Sequence, residues 1–308
     1  MSTRNAISQK KQHIDQMKPG SKSVFIKAGY VLLASVVTLF LLRFFFIDVY
    51  RVPSESMMNK LMTDDYILIN KTAYSSYFAR FITASPQQGD IFVFTINKDI
   101  PGFFVKRCIG LPGAVVAVND GEVSVNGKPL PEPLSVRHYY KIWFNDYQQV
   151  KTAIEEMEVD KFKNGFRHFP RYVLLALDNF QKNKMNRGVD SIKIWNRKND
   201  PDSGKINLPE LSENILDMSS LKIPFKGMTI HFNQPQDTVY RNTIRTYEDS
   251  SFRLEGNVAF IAGKQVSVYT FRKDYFFMMG DNRDIAIDSR HYGLIPKDNL
   301  VGKFIQQF

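Results

Sequence analysis

The segment that most limits what this chain can become is Ala28–Phe46, an apolar run carrying a single charge, Arg43. A helix of about 20 apolar residues crosses the hydrocarbon core of a bilayer. Arg43 lies near the far end of the run, where a long basic side chain can snorkel to the interface. Phe44, Phe45, Phe46 and Tyr50 belong at that boundary. The run is longer than the apolar core of a secretory signal, and no small-x-small cleavage site follows it, so it is expected to persist as an anchor. Met1–Lys27 carries Arg4, Lys10, Lys11, Lys18, Lys22 and Lys27 against one acid, Asp15, whereas Ile47–Asp65 carries only Arg51 and Lys60. The positive-inside rule then predicts a cytoplasmic tail over residues 1–27, a transmembrane anchor over 28–46, and residues 47–308 on the outer, periplasmic face of the cytoplasmic membrane.

A chain of 308 residues with net charge +10 can bury a sizeable core and bind either an anionic membrane or nucleic acid. The positive residues form no basic helix interleaved with aromatics, so a phospholipid membrane is the expected partner and nucleic acid is not. Cys108 is the only cysteine, which excludes an intrachain disulfide. His13, His138, His168, His231 and His291 make no H-E-x-x-H spacing, so no protein-held metal is expected. Walker loop, dinucleotide fingerprint and G-x-S-x-G elbow are likewise missing from the sequence.

Beyond the anchor the pattern is that of strands: Tyr66–Asn70, Asp90–Ile96, Gln265–Thr270 and Tyr275–Met279 are β-branched or aromatic runs bounded by polar turns. Val115–Val118 and Glu122–Val125 flank Asn119-Asp120-Gly121, a hairpin signal. Helical periodicity is best over Asp146–Lys163 and Arg171–Lys184. Both lie in a polar, irregular segment, residues 129–250, read as an inserted subdomain or a set of excursions from the β core.

Four short segments carry chemistry. Arg51-Val52-Pro53-Ser54-Glu55-Ser56-Met57-Met58 follows the anchor and alone reads as a surface turn. Gly89-Asp90-Ile91-Phe92-Val93-Phe94 reads as a turn entering a strand. Phe104-Val105-Lys106-Arg107-Cys108-Ile109-Gly110-Leu111-Pro112-Gly113 sets a lysine inside an apolar run, where the plain alternative is an edge-strand lysine facing water. The fourth segment, Met279 to Gly293, alternates charges as a solvated loop of Asp–Arg pairs would. A serine hydroxyl needs an adjacent base to become a nucleophile. A lysine can serve once desolvation brings its pKa down from about 10.4. Phe103, Phe104 and Val105 precede Lys106, and Arg107 is expected on the opposite strand face.

In this order behind an anchor, the segments resemble bacterial type I signal peptidase, a family of Ser–Lys proteases. The likeness covers the anchor, Val49–Gly127 and Tyr275–Lys303. It implies a mainly β fold of twisted antiparallel sheets with an α+β insertion, preceded by one N-terminal transmembrane helix. It implies a membrane-anchored serine endopeptidase, without cofactor, that cleaves signal peptides from secretory preproteins. The export machinery is a candidate partner. Residue by residue it makes Ser56 the nucleophile, Lys106 the general base, and Ser54 with the Ser56 backbone N–H the oxyanion hole. Val52, Pro53, Met57, Ile67 and Val105 would line shallow apolar pockets for alanine-sized side chains. Asp281, Arg283, Asp288 and Arg290 would support the site through charge pairs. Phe78, Phe81 and Ile82 would form an apolar rim at the lipid surface.

This chain departs from the family pattern twice. Asn59 stands where proline is usual, a local turn change. Ala286 stands where a serine usually helps to orient the lysine, and it supports an alternative: a weakly active paralogue that binds signal peptides or tethers an export complex. A related self-cleaving Ser–Lys repressor is disfavoured by the anchor and by the lack of a helix-turn-helix pattern.

Overall fold

A computed structural model describes residues 19–72, 85–160, 164–185, 189–201, 217–232, 237–255 and 258–308. The expected rim of Phe78, Phe81 and Ile82, and the tail before Pro19, lie outside the described residues. The chain divides into two units, Met1–Asp48 and Val49–Phe308. In the first, the apolar run forms the helix Pro19–Phe45, which begins well before Ala28. Its stretch Ser23–Phe45 is long and apolar enough to cross a membrane. Arg43 pairs with Asp48 at 3.6 Å. Val31, Leu32, Leu33, Phe40 and Phe44 are all exposed.

The second unit is mainly β. Its central sheet runs in the order Tyr66–Asn70, Leu300–Gln307, Ile91–Phe94, Phe104–Gly110, Tyr275–Met279 and Ile295–Pro296, with antiparallel neighbours throughout. Successive residues of a strand point to opposite faces, and Ile91–Phe94 is buried along its whole length. Phe92 and Phe94 enter a cluster with Cys108, Phe276, Met278 and Ile295. Ile91 and Val93 enter another with Val52, Met57, Leu61, Ile67, Ile69 and Val105. The expected hairpin is present: Asp120 and Gly121 have φ of 47° and 83°, the two left-handed residues that a tight hairpin turn requires.

Inside 129–250, Arg137–Trp143, Tyr172–Asp178, Ser191–Ile194 and Arg167–His168 form a four-stranded sheet with its own apolar core, including Tyr140, Ile142, Val150, Ile154, Val173, Leu175 and Met185. Farther along, Met218–Lys222 pairs with Val115–Asn119, and Thr229–His231 pairs with Val268–Thr270. The helix expected within Asp146–Lys163 spans Tyr147–Glu156, with the Asp146 carboxylate capping Gln148 N at 2.9 Å. The helix expected over Arg171–Lys184 is corrected. Tyr172–Asp178 is a strand and only Asn179–Met185 is helical. Tyr172 to Leu177 is buried on both faces, so it shows no alternation, and a short continuous apolar run does not by periodicity tell strand from helix. Gln265–Thr270 is interrupted, giving Lys264–Val266 and Val268–Thr270 in different sheets.

Candidate active site

Three elements converge on Ser56. The first is its own 3-10 turn, Glu55–Met57, closed by Met58 N to Glu55 O at 3.0 Å and anchored by the wholly buried Met57. The second is the strand Phe104–Gly110, which lies between two others in the sheet and is not an edge. The third is the loop that follows Met279, whose Asn282 N donates to Ser56 O at 3.1 Å.

Lys106 is 3% exposed, and its Nζ donates to Ser56 Oγ at 2.6 Å and to Val105 O at 3.0 Å. Burial lowers its pKa from 10.5 to about 8, against the opposing pull of the Asp288 carboxylate. Of the residues before it, Phe103 is 48% exposed and Val105 belongs to the Met57 cluster, whereas Phe104 packs against the cluster that contains Phe92. Lys106 pairs across the sheet with the fully buried Phe92. A neutral amine at this position has a lone pair to accept the Ser56 proton. Ser54 Oγ donates to Ser56 Oγ at 3.1 Å, so a second hydroxyl stands beside the first.

Of the expected pocket residues, Val52, Met57, Ile67 and Val105 share one buried cluster, while Pro53 is exposed. The four expected charged residues are buried; Asp288 and Arg290 pair with each other, while Asp281 and Arg283 take partners outside the loop. Asp281 accepts from Arg107 Nε and Nη2 at 2.7 and 2.6 Å and from Ser135 Oγ at 3.1 Å. Arg283 pairs with Glu132 and donates through Nε to Gly280 O at 3.2 Å. Burial pushes the Glu132 carboxyl up, but the Arg283 charge and bonds from His138 and Asn179 hold it down at about 2. Asp288 accepts from Gly280 N at 3.0 Å and from Arg290 Nε and Nη2 at 2.9 and 2.8 Å. Burial again opposes ionisation, and Arg290 and these bonds keep Asp288 well below the usual carboxylate range. Arg290 also donates to Arg283 O at 2.6 Å, closing the loop on itself.

Asn282 is missed by the sequence reading, although it lies inside the fourth segment. It is 3% exposed and its Nδ2 donates to Glu55 O at 3.1 Å, so side chain and backbone together grip the Glu55 and Ser56 carbonyls. Gly280 explains how the loop comes so close. A Cβ there would sit 2.5 Å from Ser56 O and 2.4 Å from Ala286 Cβ. Ala286 is itself fully buried. Of the hydroxyls near it in sequence, Ser289 Oγ is committed to Met278 N at 2.9 Å, and the Tyr292 ring packs beside Phe94 and Phe104.

Ser56 and Lys106 thus meet in a part-buried contact on a β scaffold, held by a charged loop. The family described as signal peptidase, peptidase S26, matches residues 25–175 and 222–308, well over half of the chain. The chain belongs to that family and is a serine endopeptidase. Among its relatives, a signal peptidase I of Buchnera aphidicola from Acyrthosiphon pisum is 24% identical over 294 residues, 94% of this chain and 76% of the relative. One from Pseudomonas fluorescens is 28% identical over 159 residues, 50% of this chain and 56% of the relative. A solved signal peptidase I from Enterococcus faecalis is 16% identical and covers 71% of this chain and 96% of its own, with a TM-score of 0.27, too low to bear on the fold.

Proposed function

We propose that this chain cleaves signal peptides from secretory preproteins with Ser56 as nucleophile and Lys106 as general base, on the outer face of the cytoplasmic membrane. The observation that carries the reading is the 2.6 Å contact between Ser56 Oγ and a lysine whose burial brings its pKa to about 8. Deprotonated Lys106 takes the Ser56 proton as Oγ attacks the scissile carbonyl. The new oxyanion is met by the Ser56 backbone N–H and the Ser54 hydroxyl, donors that typically contribute about 2.7–4 kcal/mol each. The Lys106 ammonium then protonates the leaving amine. Neutral again, it takes a proton from the water that hydrolyses the acyl-enzyme, and Ser56 is restored.

The helix Ser23–Phe45 supports anchoring in a phospholipid membrane. The basic flank of residues 1–27 supports a cytoplasmic N-terminus. Residues 129–250 are the proposed insertion, and the export machinery is its candidate partner. Detergent-solubilised full chain is expected to cleave a synthetic peptide spanning a small-x-small secretory site. Ser56→Ala and Lys106→Ala each abolish that cleavage, and the double variant is no worse, because the two act as one unit. Turnover near the wild-type rate in either variant refutes the assignment.

A further inference from the structure

The nucleophile turn ends at Asn59, which has a left-handed backbone with φ of 71°. Asparagine is one of the few residues with a side chain that adopts this conformation readily. The proline that stands here in the family pattern cannot, because its ring fixes φ near −65°. The departure is therefore a different turn and not an interchangeable one. The side chain exploits the new direction. Asn59 Nδ2 donates to Asp178 Oδ2 at 3.2 Å, bridging to the end of the strand Tyr172–Asp178 inside the 129–250 segment.

That strand end is itself fixed. Asp178 Oδ1 accepts from Gln181 N at 2.8 Å and Gln181 Oε1 accepts from Asp178 N at 3.1 Å, a reciprocal cap on the helix Asn179–Met185. The neighbouring strand Arg137–Trp143 reaches the same place from the other side. Arg137 Nη1 contacts Met58 Sδ, Arg137 N donates to Asp281 O at 2.8 Å, and Arg283 N donates to Arg137 O at 3.0 Å. The root of the segment thus touches both the turn that carries Ser56 and the loop that grips it.

We propose that Asn59 and Asp178 are a positioning pair that holds the Ser56 turn against the sheet of the 129–250 segment. That makes the segment a working part of the active site in this chain. The inference rests on Ser56 being the nucleophile. The pair touches neither the substrate nor Lys106; it restricts where Oγ can sit. A misplacement of about 1 Å at a reacting atom can cost about a hundredfold in rate. One exposed tether among several should therefore be worth about tenfold in kcat, with a smaller change in KM.

The test uses the full chain in detergent and a synthetic small-x-small signal-sequence peptide. Asn59→Gly keeps the left-handed backbone, deletes the amide and leaves the Asp178 cap intact. It is expected to lower kcat about tenfold with an unchanged melting temperature. Asn59→Asp faces one carboxylate with another and falls further. Adding Asp178→Asn to Asn59→Asp exchanges donor and acceptor while keeping an acceptor for Gln181 N, and is expected to restore kcat to within about threefold. A wild-type kcat in Asn59→Gly, or no recovery in the exchanged pair, overturns the proposal. Ser56→Ala, run beside them, separates the two failures. If it retains cleavage, the nucleophile assignment falls; if it is dead while Asn59→Gly is fully active, only the positioning pair falls.

Discussion

Replacing Lys106 by methionine should destroy cleavage and yet make the protein more stable. Methionine matches the lysine stem in length and flexibility and carries no charge. The fall of the Lys106 pKa from 10.5 to about 8 corresponds to about 3 kcal/mol by which folding disfavours the ammonium form. Below pH 8 the amine is protonated in both the folded and unfolded chain, so the penalty is present in full. Between about 8 and 10.5 the unfolded chain holds a proton that the folded chain has released, and wild-type stability climbs with pH. The variant also removes the partner of Ser56 Oγ, which costs about 1 kcal/mol. The net gain at pH 7 is then about 2 kcal/mol, or about 5 °C in melting temperature for a domain of this size. Thermal and chemical denaturation of wild type and Lys106→Met at pH 6, 7, 9 and 10 checks both the size and the slope. A variant no more stable at pH 7, or a gain that does not shrink toward pH 10, would refute the claim that desolvation sets the lysine pKa.

The rate follows the same titration. With chemistry rate-limiting, kcat/KM should rise with pH to a midpoint near 8, and a midpoint near 10.5 contradicts the burial of the amine. Ala286→Ser restores the hydroxyl usual in the family and should raise kcat up to about tenfold, about 1.4 kcal/mol of barrier; a gain of many orders of magnitude would make the natural chain a near-inactive paralogue. Arg107→Ala leaves the Asp281 carboxylate buried without its bidentate partner and should cost about 3–5 kcal/mol by denaturation. A loss under 1 kcal/mol would show that Ser135 and water suffice.

The contact between Ser56 and Lys106 agrees with the family resemblance, while the scaffolding around it is less legible in the sequence. Ser56 and Lys106 stand in short segments that alone read as a surface turn and an edge-strand lysine; only their order behind an anchor carries the resemblance that proposes their roles. The strand around Lys106 can be read from its apolar run, and Arg107 falls on the other face as alternation requires. What stays hidden is long-range pairing. Asp281 and Arg283 look like partners because they are neighbours in a charged loop, yet they bond Arg107 and Glu132. Nothing in the spacing of residues 107 and 281 says that the sheet sets them face to face. The strand Tyr172–Asp178 is hidden for a related reason: burial on both sides erases the alternation by which strands are recognised. Asn59 reads as a neutral turn change until its φ and its reach to Asp178 are known.

The order in which the central sheet is threaded bears on when that sheet is complete. The strand Leu300–Gln307 lies between Tyr66–Asn70 and Ile91–Phe94, and Ile67 pairs with Gln307. Until residue 307 has left the ribosome, those two early strands have no ladder between them. Their exposed edges must wait through the synthesis of the whole intervening segment. Long waits of this kind favour slow, late closure over folding as the chain emerges. They also leave open edges for other chains to pair with. A chain stopped short of Leu300 therefore carries Tyr66–Asn70 and Ile91–Phe94 with no strand to join them.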